Sequence, residues 1–216
     1  MFHDRIDAGR QLAKKLSHYA GKKDVVVLGL PRGGVPVAYE VAQALKAPLD
    51  VFLVRKLGVP GQGELAMGAI ALGGVKILNH EIMEYTHVKD YQVQEVVERE
   101  TEELNRRNKL YRQGHDPLLL KDKIVILIDD GVATGSTLKA AITALREEKV
   151  EKIIVAVPVA PPDTIRELSK LSDELICLDQ PFTFFAISAY YEDFSQISSE
   201  EVIRLLNLNI REDFKK

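Results

Sequence analysis

With a single cysteine, Cys177, the chain cannot form an intramolecular disulfide, and a reducing compartment such as the cytoplasm is the expectation. That thiol reads as a small buried apolar residue rather than a reactive one. No stretch reaches the roughly 18 uncharged apolar residues of a membrane span. The first twenty residues are charged and amphipathic and lack the apolar centre of a secretory signal. Positive charge is not in excess either: 29 basic against 32 acidic side chains leave −3. There is thus no overall field to recruit nucleic acid or an anionic membrane. Internal repeats, low-complexity tracts and a linker between independent domains are all missing. The five histidines, His3, His18, His80, His87 and His115, show no metal-ligand spacing. What is present is a globular balance, 46% hydrophobic and 28% charged over 216 residues. A chain of that length buries a core without staples.

Short unbroken apolar runs rich in β-branched residues recur at Val25 to Leu30, Lys123 to Ile128 and Lys152 to Val157. Such runs read as strands covered on both faces. Asp50 to Val54 reads as a further strand ending at Arg55 and Lys56, and Glu174 to Leu178 as a short fifth one. Helical patterns fall at Ile6 to Tyr19, Val35 to Leu45, Thr137 to Arg146, Thr164 to Leu171 and Ser199 to Leu206. Alternating strands and helices predict an α/β fold with a mostly parallel, doubly wound sheet. Ligands of such sheets sit beyond the carboxyl ends of the strands, beside the switch in strand order. Leu57 to Gly74 is glycine-rich and poor in charge, and reads as a long functional or mobile loop. Tyr91 to Arg112 is a charged helix whose sparse apolar positions, Val93, Val96, Val97, Leu104 and Leu110, let it pack on one side only, and its charge run reads as a solvated face rather than a binding surface. Asp179 to Ile197 is aromatic-rich, either a packed lid or a wall for a planar ligand.

Chemistry concentrates after the third apolar run, at Asp129-Asp130-Gly131-Val132-Ala133-Thr134-Gly135-Ser136-Thr137. A small-residue turn opening a helix leaves backbone N–H groups unpaired where the helix dipole favours an anion, so a phosphate can sit there. Thr134, Ser136 and Thr137 add hydroxyl donors. The adjacent carboxylates cannot bind that phosphate; they suit a vicinal diol and can support Mg²⁺. No lysine precedes Ser136, so this is not a nucleoside triphosphatase loop of the Walker type. A hydrolase using Asp129 as nucleophile fits poorly, because the helix start places phosphate on amides rather than in line with that carboxylate. Pro31-Arg32-Gly33-Gly34 forms a second anion nest after the first strand, with Arg32 adding charge.

Val125 to Thr137 resembles the phosphoribosyl pyrophosphate signature of type I phosphoribosyltransferases. The resemblance implies that fold, with a core of about residues 22–178 and a hood from about 1–20 and 179–216. The charged helix of about 90–112 is then an insertion in a single domain of 1–216. It further implies that Asp129 and Asp130 hold the ribose hydroxyls, and Mg²⁺ with them, while Gly131 to Thr137 cradle the 5′-phosphate. Leu30 to Gly34 resembles the family's pyrophosphate loop, often built around a non-proline cis peptide. Arg55 and Lys56 match its basic residues, and Leu57 to Gly74 its closing loop, tipped by Gly61, Gln62, Gly63 and Glu64. Glu64 is the candidate for a loop-borne polar contact. Phe2 to Leu16 and Tyr190 to Phe194 are similar to the ends of a stand-alone bacterial group of the family. The implied reaction joins phosphoribosyl pyrophosphate to a nitrogenous base, in a cytoplasmic protein that the family suggests is a homodimer. Ala133 stands where 6-oxopurine enzymes usually carry an aspartate, which leaves the acceptor open. The alternative is a non-catalytic module that senses phosphoribosyl pyrophosphate or a nucleotide.

Overall fold

The computed structural model describes residues 1–213, apart from the side chains of Glu64 and of residues 210–213. Helix α1 (Arg5–Lys15) starts where Asp4 accepts a hydrogen bond from the Asp7 amide at 2.8 Å, and it buries Ala8, Leu12 and Ala13. Strand β1 (Val25–Gly29) is buried at every position, as an unbroken apolar run requires. Helix α2 (Gly34–Leu45) and strand β2 (Leu49–Val51) complete the first crossover. Strands β3 (Val54–Val59), β4 (Gln62–Ala71) and β5 (Lys76–Leu78) follow, then helices α3 (His80–Tyr85) and α4 (Asp90–Arg112). Strand β6 (Ile124–Ile128), helix α5 (Ser136–Glu147), strand β7 (Lys152–Val159), helix α6 (Pro162–Leu168) and strand β8 (Glu174–Asp179) return to the alternating pattern. Helix α7 (Ser199–Asp213) extends seven residues past the Leu206 end expected from sequence.

Five of the strands form one parallel sheet in the order β2-β1-β6-β7-β8. Successive residues of its central strands feed opposite cores: Val25, Val27 and Ile126 join one with α1, α2, α4 and α7, and Val26, Leu28 and Val125 the other with α5 and α6. The fold is therefore the expected doubly wound α/β arrangement. Strand order reverses between β1 and β6, so the loops leaving those two strands flank the crevice. Among the described residues, no helix is long and apolar enough to cross a membrane.

Three expectations need correcting. The stretch read as a loop from Leu57 to Gly74 is most of a three-stranded antiparallel sheet, β3-β4-β5, turning at Pro60 and Gly61. Its glycines mark close strand approach rather than looseness: a Cβ on Gly68 would lie 2.2 Å from the Ile77 carbonyl oxygen. The second parallel strand stops at Val51, so Arg55 and Lys56 stand on β3 of this other sheet rather than at the parallel strand's end. Helix α4 packs on one side as expected, but its charge run is not all solvated. It buries Val93, Val96, Leu104 and Tyr111 and also Glu100 and Arg112. The Arg112 guanidinium donates to Asp50 at 3.0 Å and to the Val51 carbonyl at 2.8 Å, and Asp50 also accepts from the Leu118 amide at 3.1 Å. At the β2 edge, the Asn209 side chain of α7 accepts from the Leu49 amide at 2.8 Å and donates to the Ala47 carbonyl at 3.4 Å.

Candidate functional site

Strand β6 ends at Ile128, and Asp129 and Asp130 follow it at the strand-order switch. The Asp130 amide donates to Asp129 Oδ1 at 2.9 Å, which fixes the first carboxylate against the turn. Burial, and then the neighbouring Asp130 charge, push the Asp129 carboxyl well above the usual carboxylate range. Asp130 faces inward, its side chain 12% exposed, and Arg5 Nε donates to its Oδ2 at 2.8 Å. Arg5 is equally enclosed. Its Nη1 donates to the Ser195 carbonyl at 2.8 Å, and its guanidinium lies 3.8 Å from the Phe194 ring centroid. The Tyr191 hydroxyl donates to the Asp130 carbonyl at 2.6 Å, and burial, ahead of the Asp130 charge, raises that phenol's pKa. One arginine thus ties the N-terminal helix and the aromatic segment to the acid pair. Sequence reasoning missed Arg5 and Tyr191 as site residues. The one available signal was that a carboxylate at a buried strand end needs a counter-charge.

The loop after β1 lies directly against these acids. Its Pro31-Arg32 peptide is cis, and Arg32 is half-buried. A Cβ on Gly33 would fall 1.9 Å from Asp130 Oδ2, and one on Gly34 would fall 2.9 Å from Asp129 Cα. Only glycine lets the two loops touch. The Leu30 amide donates to the Ile128 carbonyl at 2.9 Å, which continues the ladder into the contact.

Gly131 to Thr137 then wraps toward α5. The Val132 amide donates to the Val159 carbonyl at 2.9 Å, and Thr164 Oγ1 donates to the Ala133 carbonyl at 2.6 Å, so β7 and α6 pin the turn from below. Gly135 caps α5 in the left-handed region at φ 72°. Ala133, Thr134, Ser136 and Thr137 are exposed, and the Thr134 and Ser136 hydroxyls lie 3.1 Å apart. An open helix start with neighbouring hydroxyls is a seat for an anion.

A cleft of about 340 Å³ joins part of this turn to the antiparallel sheet. Pro31, Arg55, Lys56, Ser136 and Thr137 line it, with Arg107 of α4 and, among the described residues, no carboxylate. Arg55 pairs with the buried Glu100 at 2.7 Å, and Lys56 is exposed. The acid pair, Arg32, Gly33 and Gly34 lie outside the lining of this cleft, adjoining it through Pro31. Glu64 lies in β4, and its side chain is outside the described residues. A larger cavity of about 640 Å³, bordered by Phe52, Leu118 and Leu119, lacks this convergence of cations and hydroxyls. Size alone does not mark the site.

In the aromatic segment, Phe182 and Phe185 are 97% and 87% exposed, whereas Tyr191 is buried. Phe184 stacks on Tyr190 with centroids 5.5 Å apart. Cys177 is half-buried, and burial pushes its thiol up to about 11, which suits a packing role.

Comparison with known proteins agrees with this geometry. Two Mycobacterium tuberculosis proteins, from strains CDC 1551 and H37Rv, each provisionally named a phosphoribosyl transferase, are 47% identical to the chain over 207 residues. The alignment takes in 96% of this chain and 46% of each of them, so the chain spans about half the length of the curated relatives it matches. The crystal structure of TT1426 from Thermus thermophilus superposes with a TM-score of 0.86 at 40% identity, covering 95% of this chain and 97% of that one. The model of the phosphoribosyl transferase domain matches residues 2–195. Both loops, the acid pair, Arg5 and Tyr191 all fall inside that span, and the chain belongs to the phosphoribosyl transferase domain family.

Proposed function

We propose that this chain transfers the ribose 5-phosphate group of phosphoribosyl pyrophosphate to a nitrogenous acceptor, a nucleobase in the first instance, and releases pyrophosphate with Mg²⁺ as cofactor. The observation that carries this reading is the contact of the two loops at the strand-order switch, where the Gly33 backbone lies against Asp130. A ligand that is a sugar in the middle and phosphate at both ends needs such a junction. The 5′-phosphate accepts from the amides and hydroxyls of Thr134 to Thr137. The ribose hydroxyls donate to Asp129 and to Asp130, whose Oδ2 also accepts from Arg5. The pyrophosphate faces the Pro31 to Gly34 loop, with Arg55 and Lys56 at its far side.

The donor set suits Mg²⁺, which takes one or two carboxylates and completes its shell with water and substrate phosphates. Of the two adjacent carboxylates at the strand end, Asp130 gives Oδ2 to Arg5 and Asp129 has a raised pKa, so an ion there would have to displace the Asp129 proton. No cluster of three or more ligating side chains occurs among the described residues. Asp129 and Asp130 would hold the ion, which supplies charge neutralisation to the departing diphosphate. The protein's own part is positioning and electrostatic stabilisation of an electron-poor ribosyl carbon, with the antiparallel sheet helping to keep water from it.

Pyrophosphate release from phosphoribosyl pyrophosphate and Mg²⁺, followed across purines, pyrimidines and small amines, tests the proposal. At least one acceptor should give release, and Asp129→Asn should lose both binding and release. Tight binding by the unaltered chain with no release from any acceptor would instead assign it to sensing.

A further inference from the structure

We infer that Arg107, on the inserted helix α4, is a substrate-binding residue that offers its guanidinium to a phosphoryl oxyanion in the cleft between β3 and the start of α5. This rests on the function proposed above and adds a ligand contact from outside the segments that resemble the family's loops. Placement is set by helix periodicity. Glu100, Leu104 and Arg107 follow one another at four and three residues, hence on one face, and Glu100 and Leu104 are buried. That face carries Arg107 into the cleft wall, where its side chain is 30% exposed.

The chemistry of the cleft calls for an anion. Arg55, Lys56 and Arg107 present donors and no acceptors, Ser136 and Thr137 add hydroxyls at a helix start, and among the described residues no carboxylate lines the space. Of the two arginines, Arg107 is the more available. Arg55 gives both Nε and one terminal nitrogen to Glu100, each at 2.7 Å. Arg107 gives only Nε, to Glu103 Oε1 at 2.6 Å, and among the described residues both its terminal nitrogens have no partner. Glu103 also takes Arg106 in a two-pronged pair at 2.7 and 2.9 Å, and the two arginines, Arg106 first, hold its carboxyl down to about 2. Glu103 therefore stays ionised and holds the Arg107 stem while the fork remains open to a ligand.

Arg106 supplies a matched control, since it shares Glu103 but does not line the cleft and is 64% exposed. Calorimetric titrations of the wild-type chain, Arg107→Gln, Arg107→Lys and Arg106→Gln would use phosphoribosyl pyrophosphate, inorganic pyrophosphate and ribose 5-phosphate, each with Mg²⁺. Loss of a charge-assisted contact predicts that Arg107→Gln weakens phosphoribosyl pyrophosphate by about ten- to a hundredfold. It should weaken one of the two fragments similarly, which identifies the phosphoryl group held. Arg107→Lys should restore part of the affinity, and Arg106→Gln should stay within about twofold of wild type. Arg107→Gln binding like wild type would overturn the inference. So would Arg106→Gln weakening binding equally, because the effect would then pass through Glu103 and the helix. Arg107-dependent pyrophosphate binding without any affinity for phosphoribosyl pyrophosphate would keep the anion site and refute the proposed function. Failure of the wild-type chain to bind any of the three refutes both.

Discussion

Replacing Arg5 by methionine keeps most of the stem and removes the charge that faces Asp130. Both side chains are nearly enclosed, at 9% and 12% exposure, so water cannot take over the role of the lost partner. Stranding one member of a buried pair costs about 3–5 kcal/mol. The Ser195 carbonyl loses its donor as well, about 1 kcal/mol more. Against a typical total of about 5–15 kcal/mol, that is a large share. The melting temperature should fall by about 8–24 °C, taking about 2–4 °C per kcal/mol for a chain of this size. Urea unfolding of Arg5→Met, Asp130→Asn and the double variant would measure it, with an unchanged m-value showing that the comparison is fair. The double variant should lose less than the sum of the singles by about 2 kcal/mol or more. A loss below about 1 kcal/mol for Arg5→Met, or singles that add within about 0.5 kcal/mol, would refute the pairing as the anchor of the N-terminal helix.

Gly33→Ala tests the contact of the loops in isolation, because φ −64° and ψ −32° suit alanine and only the 1.9 Å approach to Asp130 opposes it. A loss of about 1–3 kcal/mol with weakened phosphoribosyl pyrophosphate binding is expected; a melt and a titration matching wild type would exclude the contact. For Asp129, the raised pKa means that the folded state keeps a proton the unfolded state has released. Stability from the protonated form is complete below the ordinary carboxylate range and is lost as pH climbs through the raised value. Asp129→Asn should therefore match wild type near pH 4 and exceed it in urea midpoint near pH 7, while binding substrate worse; a gap that does not widen with pH would be the contrary result. Tyr191→Phe removes the 2.6 Å bond to the Asp130 carbonyl and should cost about 1 kcal/mol in the same unfolding assay, and no change would show that the hydroxyl is idle.

The parallel sheet was readable because its central strands are covered on both faces, which writes Val25 to Gly29, Ile124 to Ile128 and most of Lys152 to Val159 as uninterrupted apolar runs. The two loops were readable for a related reason: glycines, hydroxyls and carboxylates directly after such runs have few structural duties there. The antiparallel sheet was hidden because Gly58, Gly63 and Gly68 look like punctuation until their strand neighbours are known. A glycine whose added Cβ would lie 2.2 Å from a facing carbonyl is a consequence of pairing, not of local preference. Arg5 was invisible for a deeper reason. It lies 125 residues from Asp130, and a helix scanned for its apolar stripe gives no hint which polar residue turns inward. Arg107 was masked the same way, as one charge among many on a helix whose charge run reads as solvated.

Asn209 has a bearing on how this molecule behaves in crowded solution. An outermost β2 strand offers main-chain groups that a second copy could match, extending one sheet into another. The carboxamide of Asn209 mimics a peptide group, accepting at Leu49 and donating at Ala47, and so terminates the lattice of hydrogen bonds where growth would begin. Shortening α7 before that residue, or exchanging it for leucine, would uncover a template for fibrous or amorphous assembly in a protein whose crevice is untouched.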